Sequence, residues 1–550
     1  MNKRYTILPS LVLFFATLLV QISAFAASPD EINSALLKEL SNYPEELLGT
    51  EWCNVDAKHQ ELWVSAVYND LGMNPLWVGS HGPSVQAKLV FSTLKKVGAD
   101  GLNPEEYGIE LIESFWKNRT AEYMAKLDIY ITIGLLGYIH DMQEGRLSPN
   151  LNDPTLFDQA GCTTFDPVKA MAEARNNGDL EAYLSSLAPS HHYYRALKQE
   201  LENYRNIADD GGWSLFPSGK TLHPGDMDIR ITDLRGVLAK TGDLASTASL
   251  KEQLYDDQLV AAVKRFQWRN GLDVDGVVGK GTTAALIISV EQRIRQILLN
   301  MERWRWTEHD LGTKYVLVDI AGFNLQGVVN DYPVLEMRVI VGKLLHETPI
   351  FSDSIKYLDF NPFWNITPSI ARNEMLEKLR EDNTYLASKH IKLFSSWQAD
   401  GIELDPESID WNDISRSDIS GFKLRQEPGV WNALGVVKFV FPNKYSIYLH
   451  DTPARDLFEK THRAFSHGCI RISAPQQLAQ FLLAENDTYW TKQSIQEIVD
   501  SEKRKVVRLK TPIPVHMVYQ TAWVDKNGLL HFSKDIYGRD EKLTEALFVE

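Results

Sequence analysis

The sequence has 550 residues, 44% hydrophobic and 24% charged, which excludes a wholly disordered chain and a coiled-coil rod. At roughly 150 residues per domain it has room for three or four domains. Its 57 Lys+Arg against 73 Asp+Glu give a net charge of −16, which argues against nucleic acid, because counterion release needs a basic surface.

At the N-terminus, Lys3 and Arg4 precede an apolar stretch from Leu8 to about Val20, followed by Ala24-Phe25-Ala26. This is the layout of a secretory signal peptide over residues 1–26, cut after Ala26. An uncleaved anchor is the alternative, since the apolar run is nearly long enough to span a bilayer. No later segment approaches that length, so no transmembrane segment is expected in the mature chain. Of the three cysteines, Cys53 and Cys162 share the N-terminal region and form either a disulfide or two small buried hydrophobes, while Cys469 stands apart.

Residues 27–220 read as a helical scaffold, with apolar spacings of three and four in Ile32–Leu48 and Val85–Val97. Leu127–Met142 is apolar almost all round and predicts a buried helix. His191-His192 is the only tempting pair here. Adjacent histidines on a helix diverge, so a surface position is expected rather than a metal site.

Pro217-Ser218-Gly219 and His223-Pro224-Gly225 mark a linker. A compact unit over about 225–290 follows, with Tyr255-Asp256, Ala262-Val263, Phe266-Gln267, Gly271-Leu272 and Asp275-Gly276-Val277-Val278-Gly279. The spacing predicts three short helices joined by glycine turns. Gly279-Lys280 precedes Gly281 instead of Ser or Thr, so it is no P-loop. Asp273-x-Asp275-Gly276 lacks the first acidic ligand of an EF-hand, and Thr282 stands where its closing Glu would be. The unit resembles the three-helix peptidoglycan-binding domain of bacterial wall enzymes. A purely structural spacer is the alternative.

Beyond Ile294–Trp306 the period changes. Tyr315–Ile320, Met337–Val341 and Lys438–Phe441 are short strands bounded by Gly, Pro and Asn, which predicts a mainly β domain over 300–490. The pattern is interrupted over about 371–435, where a charged amphipathic helix and acidic loops suggest an inserted helical and loop lid. Residues 491–550 read as a C-terminal extension.

The chemistry concentrates in Tyr448-Leu449-His450-Asp451-Thr452-Pro453 and Ser466-His467-Gly468-Cys469-Ile470-Arg471. A cysteine attacks as its thiolate and needs a base within reach. His450, at a strand end nineteen residues before Cys469, is a candidate base from across a groove. Gly468 removes a side chain beside the nucleophile, so that nearby backbone N–H groups can form an oxyanion hole. Arg471 suits a substrate carboxylate. On residue types alone two other readings stand: a small buried cysteine, or a zinc site of His450, His467 and Cys469.

His450, fifteen intervening residues and Ser466-His467-Gly468-Cys469 resemble the signature of the L,D-transpeptidases. The flanks Gly429, Asn432-Ala433-Leu434-Gly435, Phe441-Pro442-Asn443 and Arg463 agree, as does the order of signal, scaffold, peptidoglycan-binding unit and lidded catalytic domain. The whole chain is similar to the large periplasmic members of Gram-negative bacteria. The resemblance implies a multidomain α+β protein that needs no metal or cofactor. It implies that Cys469 attacks the carbonyl before the terminal D-Ala of a tetrapeptide stem, and that a diaminopimelate amine resolves the thioester into a 3→3 cross-link. His450 would be the general acid and base, with His467 and Gly468 orienting the pair and holding the oxyanion. Tyr448, Trp364, Arg471, Ser466 and Asn432 would line the groove. The implied partners are peptidoglycan stems and the sacculus, with room for other wall-synthesis enzymes. Implied too are roles in wall biogenesis and cell shape, sensitivity to carbapenems, and L,D-carboxypeptidase activity when water replaces the acceptor. Two other classes remain open, a wall-binding scaffold with a dead catalytic domain and a secreted cysteine endopeptidase or amidase.

Overall fold

The computed structural model describes residues 27–41, 60–147, 165–245, 249–487 and 489–548. The expected signal peptide with its cleavage point, and the Cys53/Cys162 pair, lie outside the described residues. Among the described residues no helix is long and apolar enough to cross a membrane. The chain divides into two compact units.

The first unit contains the helices Pro29–Leu40, Gln60–Asp70, Val85–Leu94, Ile109–Trp116 and most of Ala121–Gln143. Ser28 starts the first of them with a capping box to Glu31. Leu36, Val64, Tyr68, Ala125 and Ile129 form its core. Asp128 is buried within the long helix. It accepts the backbone N–H groups of Leu76, Trp77 and Val78 and the Tyr68 hydroxyl, so one carboxylate organises the turn at Asn74-Pro75.

In the second unit, helix His192–Asp209 packs beside helix Val290–Arg305. His191 is not at the surface as expected. It is 2% exposed, caps the helix by accepting the Tyr194 N–H, and lies against Trp304 with ring centroids 4.5 Å apart. A capping ring turned inward escapes the outward geometry expected of mid-helix histidines.

The three expected short helices are Ile231–Lys240, Asp257–Arg269 and Lys280–Leu286. Gln267 ties them together. Its amide donates to Asp275 Oδ1 (2.7 Å), Val277 O (3.0 Å) and Thr282 Oγ1 (3.1 Å), and its carbonyl accepts the Gly276 N–H at 2.8 Å. Gly276 has φ +76°, a left-handed turn that explains the Asp-Gly pair as structure and not as a cation loop. Gln267 is nearly fully buried, so each of these bonds satisfies a group that water cannot reach.

The mainly β region is built on a nine-stranded sheet. In chain order its strands are β1 (Lys314–Asp319), β2 (Asn324–Val329), β3 (Tyr332–Gly342) and β4 (Phe351–Phe360). An insertion then supplies β5 (Trp364–Asn365), β6 (Ile391–Phe394), β7 (Glu403–Leu404) and β8 (Lys423–Gln426). The main sheet resumes with β9 (Val437–Val440), β10 (Leu449–His450), β11 (Ala464–Ser466), β12 (Ile470–Ile472) and β13 (Lys505–Val518). The spatial order is β11-β3-β12-β10-β9-β4-β13-β1-β2, and β2 also pairs with β3, so the sheet curls back on itself. One face packs a core of Leu358, Phe439, Leu449, Ile470 and Val507 under helix Pro475–Leu483.

Two expectations need correction. The lid is not only helix and loop: β5-β8-β6-β7 form its own four-stranded antiparallel sheet, with a separate core around Leu376, Leu393, Trp411, Ile419 and Leu424. The segment after residue 490 is not an appendage either. β13 lies between β4 and β1, antiparallel to the first and parallel to the second, so the sheet is incomplete without it. Its burial pattern mixes exposed and buried positions over fourteen residues, which hides a central strand from an alternation test.

Candidate functional site

The site begins with strand alternation. Along β9 and β10, Phe439 and Leu449 point into the core, so Lys438 and His450 point to the other face. Cross-strand register then lays out a row: Asp359 opposite Lys438, Lys438 opposite His450, His450 opposite Arg471. The Ile470 N–H donates to Tyr448 O at 3.0 Å, which continues the β10–β12 pairing toward Cys469. Alternation therefore puts Tyr448, His450, Cys469 and Arg471 on one face. Nineteen residues of sequence separate His450 from Cys469, and a parallel strand pair makes them diagonal neighbours.

His450 is 5% exposed. Its Nδ1–H donates to the Asp451 carbonyl at 2.5 Å, which leaves the lone pair on Nε2. Burial pushes its pKa down to about 3, and the Arg471 guanidinium and Lys438 ammonium act in the same direction. The imidazole is thus neutral across the physiological range. Asp451 follows it in the chain, but its carboxylate turns to the Val436 N–H (3.0 Å) and Arg455 Nη1 (2.8 Å) instead of the imidazole.

Cys469 lies at the mouth of the turn between β11 and β12. Burial pushes its thiol up, while a hydrogen bond from the Tyr448 backbone and the charges of Lys438 and Arg471 pull it partly back. The thiol faces Ser446 O at 3.7 Å and is not hydrogen-bonded to His450. The turn itself is clamped from inside. Ser466 Oγ donates to Cys469 O (2.5 Å) and accepts the Gly468 N–H (3.1 Å). Thr348 Oγ1 donates to Gly468 O at 2.8 Å. Gly468 has φ +105°, a conformation that side chains rarely adopt. Because Ser466 occupies the Gly468 N–H, the donor left for an oxyanion is the Cys469 N–H, which makes no hydrogen bond among the described residues.

The remaining expected residues fall into two groups. Tyr448 and Arg471 share the face of Cys469. Arg471 makes no ion pair among the described residues, and burial lowers its pKa. Ser466 and Asn432 instead hold the protein's own backbone. The buried Asn432 amide donates to Pro362 O and Glu427 O, both at 3.0 Å, and its Oδ1 accepts the Leu434 N–H at 2.8 Å. Trp364 pairs with Gln426 and packs on the insertion's own core. His467 sets its Nε2 against the Glu374 carboxylate of the insertion and its ring beside His346, with centroids 5.0 Å apart. Among the described residues no group of three His, Cys, Asp or Glu has metal-holding geometry, so His450, His467 and Cys469 do not make a zinc set.

Two residues that meet the expected site residues were missed in the sequence. Lys438 carried a signal, a lone cation in the apolar run Val437–Phe441. Glu374 carried none, because its contact with His467 joins a π-helical turn, Ala371–Met375, to a strand end almost a hundred residues later.

Three segments of the chain match described protein families. Residues 313–515 match the family described as the L,D-transpeptidase catalytic domain. Residues 230–286 match a putative peptidoglycan binding domain, and residues 63–201 a scaffold domain. In chain order the matched segments are therefore similar to a scaffold domain, a putative peptidoglycan binding domain and an L,D-transpeptidase catalytic domain. Among curated relatives, a putative L,D-transpeptidase of Haemophilus influenzae is 33% identical over 231 residues, 42% of this chain and 45% of that protein. An N-acetylmuramoyl-L-alanine amidase, CwlM of Mycobacterium tuberculosis, is 37% identical over 75 residues, 12% of this chain and 18% of that protein. The chain therefore spans less than half the length of either relative. A crystal structure of an L,D-transpeptidase from Xylanimonas cellulosilytica covers 55% of this chain and 98% of its own at 15% identity, with a TM-score of 0.17.

Proposed function

We propose that this protein is a cysteine-dependent L,D-transpeptidase that forms 3→3 cross-links between peptidoglycan stems outside the cytoplasm, in the periplasm of a Gram-negative cell. The observation that carries this reading is the shared face of Cys469, His450 and Arg471, with a free N–H at Cys469. In the first half-reaction His450 Nε2 takes the thiol proton as sulfur attacks the carbonyl of the third stem residue, meso-diaminopimelate. The Cys469 N–H steadies the oxyanion. The C–N bond breaks, His450 returns the proton to the departing amine, and D-Ala leaves a thioester behind. In the second, the side-chain amine of an acceptor stem attacks the thioester and the thiol is restored. Water in place of the amine gives L,D-carboxypeptidase activity. Neither half-reaction requires a metal or a cofactor. His467, held by Glu374, orients the turn. The buried Gln267 framework of residues 230–286 keeps that unit folded for attachment to the sacculus.

The test is incubation with purified disaccharide-tetrapeptide and mass analysis. Wild type yields cross-linked dimers, free D-Ala and an acylated protein, and Cys469→Ala yields none of them. Dimers from a folded Cys469→Ala, or monomeric products alone from wild type, would refute the assignment. The second outcome would favour a hydrolase.

A further inference from the structure

The row across β4, β9, β10 and β12 holds a residue that the reaction as described does not use. Lys438 is half-buried between Asp359 and His450, and burial lowers its pKa. An ammonium withdrawn from water is costly unless an anion meets it. Asp359, its neighbour on one side, is held by Arg504, with Nε at 2.9 Å and Nη2 at 2.8 Å. Lys438 has no ion pair among the described residues, and neither has Arg471 on the far side of His450. The ammonium is nonetheless fixed in place, 3.7 Å over the Tyr448 ring. The structure thus holds two cations without an ion-pair partner among the described residues, two strand spacings or roughly 10 Å apart, on either flank of the candidate base and beside the thiol.

We infer that Lys438 and Arg471 together form a carboxylate pocket, and that Lys438 restricts acyl donors to stems that end in a free α-carboxylate. The inference rests on the transpeptidase reading and specifies the leaving group of that same site. In a stem whose last peptide bond is broken, the terminal carboxylate lies one Cα beyond the scissile nitrogen, so it must sit beside the sulfur. Lys and Arg side chains are long enough to meet such a point from both flanks, and the anion supplies the charge that the protein leaves unmatched. The alternative use of these cations is to hold the thiolate. Burial keeps the thiol protonated despite them, which favours the substrate as their counter-ion.

The experiment compares two synthetic tetrapeptide donors, one ending in D-Ala and one in D-Ala amide. The readouts are kcat/KM for release of the terminal residue and the mass of acylated protein. Wild type is expected to prefer the free acid by roughly 10- to 100-fold, the usual worth of a hydrogen bond to a charged group. Lys438→Met, of similar length without charge, should lower that ratio by about tenfold or more. Lys438→Arg should restore most of it. Equal slowing of both donors by Lys438→Met would overturn the inference and assign Lys438 to the thiol. A wild type without preference would overturn it independently of any variant's folding. Failure of both donors to acylate wild type would instead refute the transpeptidase reading, so the two failures are distinct.

Discussion

The thiol and the imidazole should rest as a neutral pair, not as thiolate and imidazolium. Burial raises Cys469 and lowers His450 to about 3. Against an ordinary thiol near 8.5, transfer of the proton to His450 at rest crosses more than five pKa units, or roughly 7 kcal/mol at 1.36 kcal/mol per unit. The perturbation is pH and the assay is alkylation of Cys469 by iodoacetamide. Below the thiol pKa the thiolate fraction grows tenfold per unit, so the rate should rise about 100-fold from pH 6 to pH 8 without a plateau. His450→Ala should leave this slope in place, because the proposed base acts only as the substrate is attacked. The same variant should slow acylation by a stem donor by roughly two to four orders of magnitude. A flat alkylation rate between pH 6 and 8, or an NMR titration of His450 near pH 6.5, would refute the neutral resting pair.

Two further predictions follow from buried groups. Gly468→Ala forces a side chain into φ +105°, with its Cβ 2.9 Å from Ile447 Cδ1. The strain should cost about 1–3 kcal/mol at the turn. Acylation should fall well over tenfold while far-UV circular dichroism stays unchanged, and wild-type rates would contradict the geometry. His191 and His450, both lowered to about 3, and His516, lowered to about 4, are buried neutral. Their unfolded forms take up protons below about 6.5, so the stability they protect is present above that pH and lost as pH falls toward 4 or 3. Between pH 7 and pH 5 each should contribute a loss of about 2 kcal/mol. Urea unfolding of wild type and His516→Gln at the two pH values checks this, and equal losses in both proteins would count against it.

The local motifs were legible because their physics is local. Asp275-Gly276 needs a left-handed turn, and Gln267, eight residues before Asp275, lies within reach of it on the preceding helix. The three helices of residues 231–286 could therefore be read from spacing alone. Cys469 and His450 were legible as a pair of residue types, and Gly468 as the residue that frees the turn. The short strands β1, β3 and β9 appeared where β-branched runs meet Gly, Pro and Asn. His191 was misplaced because a helix cap turns its ring inward, a fact that adjacent spacing does not record.

The sequence by itself determined the candidate thiol and imidazole as residue types, the glycine turn that carries the thiol, and the succession of helical, three-helix and mainly β regions. Each depends on neighbours a few residues away or on a recognisable motif. Only the tertiary structure decided which charges face the thiol. Lys438 meets His450 through an antiparallel register, Arg471 meets it through a parallel one, and Glu374 reaches His467 from the insertion. It also decided that β13 completes the sheet from the far end of the chain, and that Ser466 and Asn432 hold backbone instead of facing the groove. Register and burial are set by which strands pair. That pairing minimises exposed apolar surface over the whole sheet, so no single stretch of sequence contains it.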